Sequence, residues 1–88
     1  MKGEKTMPPI DERLNSVMLS IIRRRTPTAD IGDFEKPIYD LDMDSLDVVD
    51  LSQALEKEFG VEADLERVSD CLTPSDIGSY FRELIGSS

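Results

Sequence analysis

The sequence predicts an all-α fold: a small four-helix bundle of three main helices plus a short third helix, with a long loop between helices 1 and 2. Two observations predict it. Apolar residues recur at helical spacing in separate stretches, each bounded by start or stop signals, and strand-like alternation and internal repeats are absent. The length of 88 residues allows one domain with one modest core and leaves little material for a deep cleft.

Residues 1–9 are polar, end in Pro8-Pro9, and read as a flexible arm ahead of a folded domain over 10–86. Asp11 and Glu12 favour a helix N-terminus through the backbone dipole, and Leu14, Val17, Met18, Ile21 and Ile22 form an amphipathic stripe. The first helix is expected over about 11–24, with Arg23-Arg24-Arg25 in its last turn serving as charge capping and solubility. Residues 25–44 form a long connection holding Pro27, Gly32 and Pro37. Structureless loops of this length are unusual in a compact domain. Ile31, Phe34, Ile38 and Leu41 are spaced to pin this one to the core, with a helical turn near 31–36.

Asp44 is a good N-cap for a second helix over 45–59. Val48, Leu51, Ser52, Leu55 and Phe59 trace its core stripe, and Leu46, Asp47, Asp50, Gln53 and Lys57 are expected on the outer face. Gly60 suits a left-handed C-cap. A short third helix is expected near 64–70, with Leu65 and Val68 turned inward. Thr73-Pro74-Ser75-Asp76 then reads as an N-cap, a proline at the first helical position and an acid two residues on. Ile77, Tyr80, Phe81, Leu84 and Ile85 give the stripe of a final helix ended by Gly86.

Composition narrows the function. The chain has no histidine, which removes the commonest general base and metal ligand, and one cysteine, which permits no internal disulfide. Cys71 reads as a small buried hydrophobe in a reducing compartment. No apolar run spans a bilayer and no signal-peptide segment opens the chain, so a cytoplasmic protein is expected. Residues 40–66, with ten Asp/Glu against Lys57 alone, hold a net of −9, equal to the net charge of the whole chain. That field repels nucleic acid and anionic membranes and steers toward basic protein patches.

The centre of that acidic third is Asp40-Leu41-Asp42-Met43-Asp44-Ser45-Leu46-Asp47-Val48-Val49-Asp50-Leu51, with Ser45 at a loop-to-helix junction. Asp40-x-Asp42-x-Asp44 matches the opening of a calcium loop, but Ser45 replaces the turn glycine and Leu51 the closing bidentate glutamate. No metal site is expected. Hydrolysis through Ser45 would need a base; there is no histidine and Lys57 lies three turns away, so the chain is not expected to be an enzyme. Ser45 reads instead as a substrate, a residue that another enzyme modifies.

Asp44-Ser45-Leu46-Asp47-x-Val49-Asp50-Leu51, continuing to Ala54-Leu55-Glu56-x-Glu58-Phe59-Gly60, resembles the acyl carrier protein family, whose signature is Asp-Ser-Leu at the start of helix 2. The resemblance covers about residues 10–85 and includes the Thr73-Pro74-Ser75-Asp76-Ile77 start of the last helix. It implies that a phosphopantetheinyl transferase, holding magnesium, moves 4′-phosphopantetheine from coenzyme A onto Ser45. The arm would carry acyl groups as thioesters to loading and synthase enzymes with basic docking patches. Asp44, Leu46, Asp47, Val49, Asp50, Gln53 and Glu56 would form the docking face, and a carried chain would tuck behind Leu51, Leu55 and Phe59. A monomer is expected. Asp42 stands where the family usually has glycine, Gln53 where fatty-acid carriers often have methionine, and Glu62-Ala63-Asp64 replaces the usual Ile-Pro pair. These departures favour a specialised pathway, such as polyketide synthesis, over housekeeping fatty-acid synthesis. An aminoacyl pathway is among those favoured, and a peptidyl carrier ranks lower because glycines before the serine are absent. The alternative of another class is an unmodified acidic adaptor.

Overall fold

A computed structural model of the protein describes the backbone of residues 9–87 and the side chains of residues 9–86. The element order is α1 (Ile10–Ile22), α2 (Ser45–Phe59), α3 (Leu65–Ser69) and α4 (Pro74–Ser87), with two 3₁₀ segments, Ile31–Glu35 and Ile38–Leu41, between α1 and α2. No strand occurs among the described residues, and the expected all-α bundle with a long loop between its first two helices is what forms. Apart from Pro9, the expected N-terminal arm lies outside the described residues.

α1 starts directly after Pro9 and carries Asp11 and Glu12 in its first turn. It ends two residues earlier than its charge pattern suggests. The Arg24 and Arg25 N–H groups donate to Ile21 O and Ile22 O three residues back, at 3.1 and 3.0 Å, which tightens the last turn. Pro27 also disfavours helical backbone at Thr26, so the arginines leave the helix.

The connection between α1 and α2 is a wall of the core. Ala29, Phe34, Ile38, Leu41 and Met43 are all buried, alongside Leu14, Met18 and Ile22 of α1, Leu51 and Leu55 of α2, Val68 of α3, and Ile77 and Phe81 of α4. The apolar spacing through the connection therefore acts as expected, except at Ile31, which is 51% exposed. Ile31 opens the first 3₁₀ segment, where the Asp30 carboxylate accepts its N–H at 2.9 Å; the cap sets the backbone and Phe34 supplies the anchor. Ile38 N–H donates to Leu72 O at 2.9 Å, tying the second segment to the turn before α4.

α2 ends at Gly60 with φ 67°, the left-handed cap that glycine adopts freely. Val48 and Phe59 lie half-buried at the edges of its stripe. α3 is one turn capped by Asp64, whose carboxylate accepts the Glu66 N–H at 3.0 Å. A five-residue helix can commit one residue fully to the core: Val68 takes that place and Leu65, expected inward, is 50% exposed. At the start of α4, Asp76 N–H donates to Thr73 Oγ1 at 3.1 Å and the Asp76 carboxylate accepts the Thr73 N–H at 3.3 Å, a closed capping box. Gly86, expected to end this helix, lies inside its last turn. Glycine permits a stop there and does not force one.

Candidate functional site

The site is built at the junction where the connection hands over to α2. Asp42 adopts φ 61° and ψ 26°, the left-handed region, and so makes the turn for which glycine is the default residue. Met43, 5% exposed, is driven into the core immediately afterwards. Asp44 follows as the N-cap: its Oδ1 accepts the Asp47 N–H at 3.0 Å, and the Asp44 N–H donates to Asp47 Oδ2 at 3.1 Å. With its flanking residues held on both sides, Ser45 sits at the first helical position with its side chain exposed. Neither the Ser45 nor the Leu46 N–H has a hydrogen-bond partner among the described residues. These are the free donors of a helix start, where the dipole also favours negative charge. A phosphate ester on Ser45 would meet both, so the residues present fit such a group.

Asp47 departs from expectation. It is 8% exposed rather than outward-facing, because Arg25 reaches across from the end of α1 and donates Nε–H to Asp47 Oδ2 at 2.9 Å. The bond with the Asp44 backbone N–H, and then the Arg25 guanidinium, hold the Asp47 carboxyl below the usual carboxylate range, against the opposing effect of burial. Arg25 Nη2 also lies 4.0 Å from Asp44 Oδ2, and Arg24 Nη2 lies 3.5 Å from Asp50 Oδ2. Arg24 and Arg25 thus tie the end of α1 to the start of α2, a role their position in the sequence does not reveal, while Arg23 donates Nε–H to Ala29 O at 2.8 Å within the connection.

The remaining residues expected on the docking face divide. Asp44, Asp50 and Gln53 are exposed, and Leu46 is 72% exposed beside Ser45. Val49 is half-buried and lines a groove. Glu56 is half-buried, its carboxylate accepting the Ala63 N–H at 2.7 Å.

That groove, of about 470 Å³, is lined by Ser45 among others and runs between α2, α3 and the second 3₁₀ segment. Val48 and Val49 form one wall, Leu65 and Val68 another, and Tyr39 and Leu72 stand in its lining as well. Leu51, Leu55 and Phe59 do not line it. Leu51 and Leu55 are fully buried in the core, and Phe59 lies at the far end of α2 with the Arg13 guanidinium 4.7 Å from its ring centre. Cys71 also lines the groove, half-buried rather than buried, and burial together with Asp76 and Asp70 pushes its thiol pKa up. Among the described residues, no group of three or more acidic, histidine or cysteine side chains is placed to hold a metal ion, and no helix is long and apolar enough to cross a membrane.

Ser45 is thus an exposed residue at a helix start, beside an apolar groove. Comparison with known proteins gives the family. Residues 13–81 match the family model described as the phosphopantetheine attachment site. An acyl carrier protein of Thermotoga maritima is 40% identical over 80 residues, spanning 85% of this chain and 95% of that protein. No solved structure matches significantly. The chain belongs to the acyl carrier protein family. It is a carrier and not an enzyme, and the cofactor of its family is covalently bound 4′-phosphopantetheine.

Proposed function

We propose that Ser45 receives 4′-phosphopantetheine from coenzyme A and that the chain presents acyl groups to partner enzymes of a fatty-acid, polyketide or related biosynthetic pathway. The observation that carries this reading is the exposed Ser45 at the first position of α2, in the lining of an apolar groove. When bound, the arm supplies a terminal thiol that holds acyl groups as thioesters. The chain's own residues do the rest. Asp44 and Asp47 fix the backbone on either side of the attachment oxygen, so a transferase meets Ser45 in one geometry. The free Ser45 and Leu46 N–H groups would be available to a phosphate on Ser45, and Leu46 would offer an apolar contact beside it. The groove between α2 and α3 offers an apolar carried chain shelter from water, in place of the space behind Leu51, Leu55 and Phe59. Such a carrier works in the cytoplasm, where coenzyme A and the transferase are at hand, and meets its partners as a monomer.

The test is transfer from a fluorescent coenzyme A derivative by a broad-specificity phosphopantetheinyl transferase with magnesium. Covalent labelling of the wild type and none of Ser45→Ala is the expected result. Equal labelling of both would move the attachment to another residue.

A further inference from the structure

The acids of α2 that a docking partner would be expected to use are largely engaged within the chain. Asp47 is held by Arg25 at 2.9 Å, Asp50 lies 3.5 Å from Arg24, and Glu56 accepts the Ala63 N–H at 2.7 Å. A partner's cation gains less from a carboxylate that already has a counter-charge, and must compete with a guanidinium tethered to the same chain.

Carboxylates without a side-chain partner among the described residues lie on neighbouring elements. Asp40 lies in the second 3₁₀ segment and Asp42 is its C-cap, Glu66 is in α3, and Asp70 is the C-cap of α3. All four are exposed. Three of the large apolar side chains that burial has left out lie here: Tyr39 of the second 3₁₀ segment is 70% exposed, Leu65 of α3 50%, and Leu72, in the turn between α3 and α4, 64%. The three line one groove, and Ser45 lines the same groove. Clustered exposed apolar groups mark interaction sites, whereas scattered ones need no explanation. A rim of aromatic and aliphatic side chains with free carboxylates around it has the make-up of a protein docking face, in which a few apolar anchors carry the energy and charge sets the orientation.

We infer that a partner enzyme reaches Ser45 across the rim formed by the second 3₁₀ segment, α3 and the turn after α3, through an apolar socket for Tyr39 and Leu72 flanked by lysine or arginine side chains that meet Asp40, Asp42, Glu66 and Asp70. Charge selects this occupant. The chain carries a net charge of −9, so a second copy would set the same carboxylates against one another, while a basic enzyme surface complements them.

This inference rests on the reading of Ser45 as the attachment residue, and steady-state kinetics of the transferase reaction separate the two. The probe is the phosphopantetheinyl transferase with coenzyme A and magnesium, acting on wild type, Tyr39→Ser, Leu72→Ser and the double variant Asp40→Asn/Asp70→Asn. The substituted side chains are exposed, so the fold is kept. The expected result is a KM for the carrier raised roughly tenfold by Tyr39→Ser or Leu72→Ser and several-fold by the charge variant, with kcat within about twofold. Asp50→Asn shifts KM less than any of them. Unchanged KM in the Tyr39 and Leu72 variants, or a larger shift in Asp50→Asn, overturns the rim while leaving Ser45 as the attachment site. Absence of modification in the wild type overturns both. A wild type that sediments as a dimer and dissociates on Tyr39→Ser assigns the rim to a second copy and overturns the enzyme as its occupant.

Discussion

Asp47 shows how much one side chain near Ser45 is asked to do. Its carboxylate receives the Asp44 N–H and the Arg25 Nε–H, while its own N–H is held by Asp44. Replacing Asp44 by alanine removes one half of that box, and a loss of about 1 kcal/mol in urea unfolding is expected. The pH dependence has a definite sign. The folded-state pKa of Asp47 is lowered, so its contribution is fully present above the ordinary aspartate value of about 3.9 and is lost as pH falls through the lower folded value. Thermal unfolding followed down through pH 4 should show a smaller acid-induced loss for Asp47→Asn than for wild type. Ser52 offers the opposite case: its hydroxyl is fully buried in the core and has no hydrogen-bond partner among the described residues. Ser52→Ala removes an unsatisfied group and adds a better helix former, so a gain of about 1 kcal/mol is expected by the same urea assay.

At the level of elements, legibility followed locality. α2 and α4 were readable because their N-caps, stripes and, for α2, the closing Gly60 all lie within one stretch of sequence. Gly60 illustrates the strength of such a signal: at φ 67° an alanine is strained, and Gly60→Ala should destabilise the protein by about 1 kcal/mol in thermal or urea melts. The second 3₁₀ segment was not foreseen, because what holds it is distant: Ile38 N–H bonds to Leu72 O, and Thr26 Oγ1 donates to Leu41 O at 2.7 Å. Asp47 was assigned to the outer face for the same reason, since Arg25, which draws it in, stands 22 residues earlier. Ser45 needed no such partner. Its exposure follows from its place at the first position of a capped helix, which the sequence states directly. The groove was the least readable part, because its walls come from α2, α3 and the connection, and only their packing makes them neighbours.

For the molecule as a whole, one small core carries the site. Phe81 and Ile77 of α4 pack fully buried into the same cluster as Leu51 and Leu55, which set the position of α2 and so of Ser45. Phe81→Ala should cost about 3–5 kcal/mol, a large share of the stability of a domain this size, and broad loss of amide dispersion in NMR spectra would report it. The concentration of negative charge in one third of the chain makes its partner contacts sensitive to salt. In the proposed function all of these properties act through Ser45. The measurement that tests this most directly is the intact mass of the protein after incubation with coenzyme A, magnesium and a phosphopantetheinyl transferase, beside Ser45→Ala. A gain of one phosphopantetheine on the wild type alone is the predicted result. No gain with any of several transferases would contradict it and leave an unmodified acidic adaptor that keeps the carrier fold.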